Sequence, residues 1–347
     1  MLRFQAKLFE TRALWFYART RNVPVRANVR LRHVDLSYSR RPEVDGLVLS
    51  GRSERVIEVK SYPLDGAQTR AALDRYRTLG FTNITLMAPA FETREVGAGP
   101  GVELIEFEPA LDAVRSFYAG AWQHRDPAVA AWLKPGGIHF RFSVAEVSKG
   151  AATRALNQVD KGIRGYDALE RELHARVLPS FTPVRIHWSP VRLLFPKDLF
   201  HRERRVYVLD TPVVFDVDGE LIHRAMFPCT IDPTSGVCQD CVAFAKQDTL
   251  KLAKYLRAHG FEPHIFFSGR GGFHVYVFER GLGGARRQTL LRGANAEHVG
   301  VDRQIARHPT PILNFPTSLN GTSIRPLVRT EHLERFRLED APVGGTP

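Results

Sequence analysis

The chain of 347 residues lacks an apolar run long enough to cross a membrane, and Met1-Leu2-Arg3 opens no signal peptide. We therefore expect a cytoplasmic protein. Acidic residues are scarce relative to basic ones, because 37 Asp and Glu face 49 Lys and Arg, which gives a formal net charge of +12. A surface with this excess of positive charge attracts nucleic acid phosphates, although ribosomal or membrane-surface partners would explain the charge equally well.

Cysteine is nearly absent: the chain has three, Cys229, Cys238 and Cys241, and all lie within thirteen positions. The last two form a C-x-x-C motif, which is the spacing of two ligands of one tetrahedral Zn²⁺ site. The cluster predicts a zinc site in a reducing interior, with buried structural thiols as the alternative. The fourth ligand stays open among His223, Asp232, Asp240 and a water molecule.

The apolar segment of residues 213–218 carries two carboxylates at alternate positions. In a strand, Asp216 and Asp218 project from one face while Phe215 and Val217 are buried on the other. Two neighbouring carboxylates repel each other and lose hydration, and hard oxygen ligands of this kind suit Mg²⁺ or Mn²⁺. The pattern therefore predicts a divalent-cation site, with two solvated aspartates at a strand end as the alternative.

A glycine-rich segment joins two further apolar strands, predicted over residues 264–267 and 275–278. Glycines between strands let backbone amides approach a ligand closely. The segment thus predicts a phosphate-binding loop, with a glycine-rich hairpin turn and an incidental histidine as the alternative. The side chains of this loop that could donate to phosphate are Ser268, Arg270 and His274.

In this order and spacing, the 213–218 strand, the cysteine cluster with the helix that follows it, and the 268–274 loop resemble the archaeo-eukaryotic primase superfamily, most of all the small subunit of archaeal primases. The resemblance implies an RRM-like α/β core with an inserted structural Zn²⁺ element, and template-directed nucleotidyl transfer. It also implies that Asp216, Asp218 and Asp302 hold two Mg²⁺ or Mn²⁺ ions. The nucleotide-binding residues that it implies are Ser268, Arg270, His274, Ser318, Arg202 and Arg204, and a solvated basic turn is the alternative for the last two.

The third element of that family is matched less closely. Asp302 precedes the segment 313–321, in which Asn314 stands where the family usually has arginine. Asn320 stands where the family has histidine, and Thr322 where it often has lysine. These positions normally help to hold the phosphates of the incoming nucleotide, so the departures bear on triphosphate affinity and on activity.

The first hundred residues form a separate pattern. It predicts, in order, a helix over residues 2–20, strands over 25–31, 43–49 and 55–60, a helix over 67–79, and strands over 83–87 and 103–107. Glu58 and Lys60 share one face of the third strand, opposite Ile57 and Val59. If Asp45 lies on the neighbouring strand, two carboxylates and an ammonium converge, and such a group can hold Mg²⁺ against a scissile phosphate.

This succession resembles the PD-(D/E)xK nuclease family, in the form seen in Holliday-junction resolvases and restriction-like enzymes. The resemblance rests on Glu10 in the first helix, Asp45 and the Glu58-x-Lys60 triplet. It implies a metal-dependent endonuclease in which all four residues are catalytic and Asp45 and Glu58 bind Mg²⁺. The alternatives are an exposed ion pair between Glu58 and Lys60, and a degenerate copy that only grips DNA.

The predicted fold class is α/β (α+β): a restriction-endonuclease-like domain followed by a primase-polymerase core with an inserted zinc element. The predicted parts are residues 1–109 (nuclease-like), 110–190 (mainly helical connection), 191–336 (primase-like, with the zinc element at 223–241) and 337–347 (disordered tail).

The predicted function is that of a DNA primase or polymerase fused to an endonuclease-like domain, acting in replication or repair, for example of a mobile element or virus. The predicted partners are single-stranded template, primer-template DNA, nucleoside triphosphates, and a primase large subunit or other replication proteins, with no membrane. Two alternatives stay open: a nuclease whose primase-like half only binds DNA, and a non-catalytic DNA-binding accessory protein.

Overall fold

The computed structural model describes residues 3–30, 43–50, 53–92, 99–107, 117–118, 125–134, 137–143, 145–149, 152–156, 159–178, 185–194, 207–226, 229–297, 300–308, 311–316, 318–320, 325–327, 329–330 and 332–341. Over these residues the fold is mixed α/β with several sheets. The chain divides into two compact units, Met1–Ala110 with His223–Asp240, and Leu111–Ile222 with Cys241–Pro347. None of the helices in the described part has the length and hydrophobicity that a bilayer crossing requires.

The strands are β1 Val25–Arg30, β2 Glu43–Ser50, β3 Ser53–Val59, β4 Asn83–Ala88, β5 Val102–Glu106, β6 Gly137–Ser143, β7 Ala145–Lys149, β8 Ala152–Leu156, β9 Val159–Ile163, β10 Arg185–Leu193, β11 Val208–Asp210, β12 Val213–Asp218, β13 Cys229–Ile231, β14 His264–Phe267, β15 Gly272–Val277, β16 Leu313–Asn314, β17 Leu319–Asn320 and β18 Arg325–Pro326. The helices are α1 Arg3–Arg21, α2 Gly66–Thr78, α3 Pro127–Leu133, α4 Tyr166–Glu172, α5 Gly219–Met226, α6 Gln239–Ala258, α7 Gly284–Glu297 and α8 Arg303–Arg307. A π-helical turn, Leu173–Val177, extends α4, and 3₁₀ turns span Leu333–Arg335 and Leu338–Asp340.

The first unit is built on one six-stranded sheet in the order β13-β1-β2-β3-β4-β5. β13, β1, β2 and β3 pair antiparallel, whereas β3, β4 and β5 pair in parallel. Because two parallel neighbours need a crossover, α2 connects β3 to β4. Asp65 begins α2 with a reciprocal capping box to Gln68, and Leu73 and Tyr76 bury the inner face of the helix against Val56 of the sheet.

The second unit contains a three-stranded antiparallel sheet, β12-β15-β14, and a second sheet in the order β11-β10-β6-β9 with β16 also paired to β10. Aromatic side chains fill the space between these sheets. Trp188 of β10 contacts three rings: Phe140 of β6, Tyr276 of β15, and Phe315, which follows β16. The ring centroids are 6.2, 5.7 and 5.2 Å away, in that order. The face of β15 that carries Tyr276 is therefore the face packed on the second sheet of this unit.

The structure confirms the predicted helices and strands of the first hundred residues, with boundaries shifted by at most two residues. The region predicted to be mainly helical differs, because β6, β7, β8 and β9 lie between residues 137 and 163. The signal was present in β6, where Ile138, Phe140 and Phe142 alternate with polar residues and are fully buried. Most of the helix predicted over residues 110–122 lies outside the described residues.

The disorder predicted from residue 337 does not begin there. The Arg337 amide donates to the Asp340 carboxylate over 2.8 Å, and Ala341 is fully buried after the 3₁₀ turn. The Pro- and Gly-rich composition that predicted disorder is concentrated in residues 342–347, which lie outside the described part of the chain.

Candidate active site and metal centres

Three aspartates converge at the end of β12. Asp216 and Asp218 share one face of the strand, while Phe215 and Val217 are fully buried on the other. The segment that contains Asp302 runs antiparallel beside this strand, because the Asp302 amide donates to the Asp216 carbonyl over 2.7 Å and Val301 bridges Val217. Backbone hydrogen bonds thus bring Asp302 beside Asp216 although about eighty residues separate them in the sequence.

The electrostatics of this cluster disfavour ionised carboxylates. Burial and the neighbouring Asp302 raise the pKa of Asp216 to about 7. Burial, with the charge of Glu220 next, raises the pKa of Asp218 to about 6. Burial is the larger cause of both shifts, and the smaller part comes from neighbouring carboxylates, whose negative charge a bound divalent cation would neutralise. The donor set, made only of carboxylate oxygens, fits Mg²⁺ or Mn²⁺.

The glycine-rich loop between β14 and β15 lies beside these carboxylates. Ser268 closes the loop: its amide donates to the Gly272 carbonyl over 2.9 Å, and its hydroxyl accepts from the Gly272 amide over 3.1 Å. Gly269 has φ +81°, and a Cβ at Gly272 would collide with the Val217 carbonyl oxygen. Glycine is therefore required at position 272 so that β15 can lie against β12.

Arg270 and His274 differ in their partners. Arg270 forms an ion pair with Glu220, with Nη2 to Oε1 at 2.8 Å. His274 lies opposite Asp216 in the strand register, and its Nε2 is 3.6 Å from an Asp216 oxygen. Burial lowers the pKa of His274 to about 4, so the imidazole is neutral at physiological pH. Its Nδ1 is buried without a hydrogen-bond partner among the described residues.

Of the remaining positions linked to nucleotide binding, the structure describes the side chains of Ser318 and Asn314. Ser318 is fully buried, and its hydroxyl donates to the Phe315 carbonyl over 2.6 Å. Asn314 pairs with His187 on β10, and its Oδ1 is buried without a hydrogen-bond partner in the described structure. Four further positions fall outside what the structure describes: Arg202, Arg204 and Thr322 lie outside the described residues, and Asn320 has its side chain outside them.

The predicted metal cluster of cysteines assembles on the segment 223–241. The ligand atoms of His223, Cys229, Cys238 and Cys241 all lie within 4.8 Å of one another, and all four residues are buried. The Cys238 sulfur is 3.3 Å from His223 Nδ1. Three thiols and one imidazole at this spacing form a ligand set that could hold Zn²⁺ and would leave no open coordination position.

The two aspartates considered as a fourth ligand have other surroundings. Asp232 Oδ1 accepts from the amides of Thr234 and Ser235, over 2.9 and 2.7 Å, so it shapes the turn before Cys238. The Asp240 carboxylate lies 3.9 Å from Nε2 of His223. This distance is too long for a hydrogen bond, and the Asp240 side chain is exposed, so neither aspartate replaces His223 in the cluster of ligand atoms.

A second group of ionisable side chains assembles in the first unit. Asp45 on β2 accepts from the Val59 amide over 2.8 Å, which brings it beside the end of β3. Glu58 is buried and is held by Lys60 and by the Tyr76 hydroxyl. Burial raises the pKa of Asp45 to about 8, with further contributions from the charges of Glu58 and then Glu10. The four predicted residues of this cluster thus interact with one another.

Lys60 keeps its charge in this cluster. Burial alone would lower its pKa, but the Glu58 carboxylate and Asp45 reverse the effect, so the net pKa is raised above the ordinary value. Lys60 is therefore an ammonium that balances part of the negative charge. The oxygen atoms of Glu58, Asp45 and Glu10 are ligands of the kind that a divalent cation takes.

Sequence reasoning missed three residues that the structure connects to these clusters. Glu220 pairs with Arg270, Tyr76 donates to Glu58, and the Asp248 carboxylate accepts from the Gly300 amide over 2.8 Å. The spacing Asp216-x-Asp218-x-Glu220 could have indicated the first of these. The partners of the other two are remote in sequence, so no local pattern identifies them.

Of three comparisons with known proteins, only the comparison with solved structures found similar chains. No protein-family model and no curated protein matches the chain. Among solved structures, the polymerase domain from Mycobacterium tuberculosis Ligase D in complex with DNA aligns with 67% of this chain and 84% of its own length. The alignment has 14% sequence identity and a TM-score of 0.37, a similarity too low to establish a common fold.

Proposed function

We propose that the second unit carries out template-directed nucleotidyl transfer to DNA, as a primase, a primer-extending polymerase, or both. One observation carries this proposal: Asp216, Asp218 and Asp302 converge beside a glycine-rich loop that holds Arg270 and His274. A cluster of acidic oxygens beside a loop with a guanidinium suits a substrate that brings both a triphosphate and divalent cations. In this proposal the unit is an RRM-like primase-polymerase core.

The three aspartates would be the metal ligands. Two bound Mg²⁺ or Mn²⁺ ions would activate the 3′-hydroxyl nucleophile and neutralise the charge of the triphosphate and the leaving pyrophosphate. Asp216 is the candidate to contact both ions, because it lies between Asp302 on one neighbouring segment and His274 on the other strand. The raised pKa values of Asp216 and Asp218 mean that protons compete with metal near neutral pH.

Arg270 and His274 would bind the triphosphate in different ways. Arg270 supplies a guanidinium that exchanges its partner Glu220 for phosphate oxygens. His274 is neutral, so it donates one N–H hydrogen bond without adding charge. Ser268 would keep the loop closed through its two hydrogen bonds with Gly272. Arg202, Arg204 and Ser318 remain predicted nucleotide contacts.

The zinc would be structural. His223, Cys229, Cys238 and Cys241 fill all four positions of a tetrahedral ion, so no position is left for substrate. α6 begins at this cluster and carries Cys241 in its first turn. The ion would therefore fix the start of the helix that supports the site.

For the first unit we propose a restriction-endonuclease-like fold with metal-dependent DNA cleavage, or with DNA binding inherited from it. The observation that favours this function is the contact of Asp45 with the end of β3, where Glu58 and Lys60 lie. Asp45 and Glu58 would hold Mg²⁺, Lys60 would stabilise the charge that develops on the phosphate, and Glu10 would complete the acidic site. A chain with both activities would act in DNA replication or repair.

Nucleotide incorporation tests the first activity. The full-length, zinc-loaded protein is incubated with single-stranded DNA, with and without a primer, in Mn²⁺ with labelled rNTPs or dNTPs. We expect product from wild type and none from Asp216→Ala/Asp218→Ala. No product from folded protein under any of these conditions would refute an autonomous polymerase. It would leave a nuclease whose second half only binds DNA, an accessory protein, or a requirement for a large subunit.

Cleavage of branched and linear DNA in Mg²⁺ tests the second activity. We expect Glu58→Ala and Lys60→Ala each to abolish it, and Arg77→Ala to leave it intact because Arg77 is an exposed partner of Asp74. Cleavage that survives both substitutions would show that the activity does not come from this cluster. A protein inactive in both assays that still binds DNA would be an accessory protein.

A further inference from the structure

Asp248 is a buried carboxylate on α6 to which neither proposed activity assigns a role. Its side chain is 7% exposed, although it lies in the middle of a helix whose neighbouring buried residues are apolar or small. One of its oxygens, Oδ2, accepts a hydrogen bond from the Gly300 amide over 2.8 Å. Burying a carboxylate costs free energy unless hydrogen bonds replace its contacts with water, and the Gly300 amide supplies one such bond. The presence of a carboxylate at this position therefore needs an explanation.

Gly300 begins the short segment that carries Asp302. Its carbonyl accepts from the Asp218 amide over 2.8 Å, and the next residue, Val301, bridges to Val217 of β12. Two residues further on, the Asp302 amide donates to the Asp216 carbonyl over 2.7 Å. Gly300 is therefore hydrogen-bonded on both sides, to Asp248 through its amide and to β12 through its carbonyl.

α6 also contacts the residue that follows β12, at the same end of the strand. A Cβ at Gly219 would collide with the Cys241 carbonyl oxygen, so the residue after Asp218 lies directly on the first turn of α6. Asp248, two turns along the same helix, holds Gly300. One helix thus contacts the residue after Asp218 and, through Asp248, the residue two positions before Asp302, so it can fix the separation of the two backbone segments.

We propose that Asp248 is a positioning residue: its hydrogen bond to Gly300 holds residues 300–302 on β12 and so keeps the Asp302 carboxylate beside Asp216 for divalent-cation binding. The inference rests on the proposed function of that site. It requires an acceptor at position 248 rather than a charge. Asn therefore replaces Asp in this role, and Ala does not.

The experiment measures Mn²⁺ binding from the electron paramagnetic resonance signal of free Mn²⁺, without nucleotide or DNA. The zinc-loaded full chain carries Asp45→Ala/Glu58→Ala, which removes the cation site proposed for the first unit, and this background serves as the wild type of the comparison. We expect Asp248→Ala to weaken Mn²⁺ binding by about 10- to 100-fold, which is the usual effect of removing a residue that orients metal ligands. Asp248→Asn should bind within about threefold of wild type, since its amide oxygen accepts the same bond. Gln247→Ala, an exposed change on the same helix, is the matched control.

Hydrogen exchange at residues 300–302 provides a readout that does not depend on metal. In Asp248→Ala the amides of Gly300 and Asp302 should exchange faster than in wild type, and in Asp248→Asn they should not. The inference would be overturned if Asp248→Ala had the Mn²⁺ affinity and the amide exchange rates of wild type. It would also be overturned if a folded Asp248→Asn bound Mn²⁺ weakly and exchanged these amides fast. The Asp248→Asn result tests the inference if Asp248→Ala does not fold. Absence of Mn²⁺ binding in wild type refutes the proposed metal site, whereas unchanged exchange in Asp248→Ala refutes only the anchoring role.

Discussion

Replacing Asp216 with asparagine tests whether the carboxylate cluster is electrostatically strained. Burial and Asp302 raise the pKa of Asp216 from 3.8 to about 7. Because this shift is about three pKa units, ionising Asp216 costs about 4 kcal/mol more in the folded protein than in the unfolded chain. At a pH between these two pKa values, the folded state keeps a proton on Asp216 that the unfolded state has released. The free energy of unfolding therefore falls as the pH rises. Asparagine has nearly the same shape and no charge to lose.

At pH 8, in buffer without added divalent cations, Asp216→Asn should raise the free energy of unfolding by up to about 4 kcal/mol. The difference in the free energy of unfolding between the variant and wild type should narrow by roughly 1 kcal/mol for each pH unit as the pH falls from about 7 to about 5, because Asp216 of wild type becomes protonated. Urea unfolding of the zinc-loaded protein, followed by circular dichroism, measures both values. Mn²⁺ should stabilise wild type more than the variant, because the proposed cation site at Asp45 and Glu58 is present in both. A variant no more stable than wild type, or a gap independent of pH, would refute the reasoning.

Three further outcomes follow from the same geometry. Cys238→Ser should lose zinc and lower the melting temperature, whereas Asp232→Asn should keep zinc by metal analysis; zinc retained in the first or lost in the second would contradict the ligand set. Gly219→Ala should destabilise the protein by about 3 kcal/mol in urea unfolding, since its Cβ meets backbone rather than a movable side chain, and an unchanged midpoint would count against that contact. Burial and the charges of Glu58 and Glu10 raise the pKa of Asp45 to about 8, so DNA cleavage at limiting Mg²⁺ should rise about tenfold per pH unit below pH 8 and level off above it; a flat profile would exclude Asp45 as a ligand.

The sequence predicted those parts of the fold and of the candidate sites that depend on local periodicity. Alternation in residues 213–218 predicted that Asp216 and Asp218 share a face, and the strand register confirms it. The C-x-x-C spacing predicted the convergence of Cys238 and Cys241, since three residues of separation at the start of a helix bring two sulfurs together. In both cases the spacing along the chain fixes the relative positions of the two side chains, so no long-range contact has to be known.

Long-range pairing could not be predicted in this way. The position of Asp302 depends on backbone hydrogen bonds to β12 across about eighty residues, and backbone groups carry no sequence signature. Tyr76 could have been taken for an ordinary core residue on α2, because its ring packs with Leu73 and Val56 and only its hydroxyl reaches Glu58. The strands of residues 137–163 were missed because short segments with flanking helical patterns leave the period ambiguous.

The two acidic clusters share a property that folding alone does not explain. Carboxylates retained only for stability usually pair with cations, which lowers their pKa values, whereas the pKa values of Asp45 and Asp216 are raised to about 8 and about 7. Each cluster is assembled from residues of its own unit, so neither needs a residue of the other. If both are functional, Asp216→Ala should leave DNA cleavage unchanged and Glu58→Ala should leave nucleotide incorporation unchanged, when the two assays are run on the same preparations. Loss of both activities in either variant would mean that the clusters do not act independently.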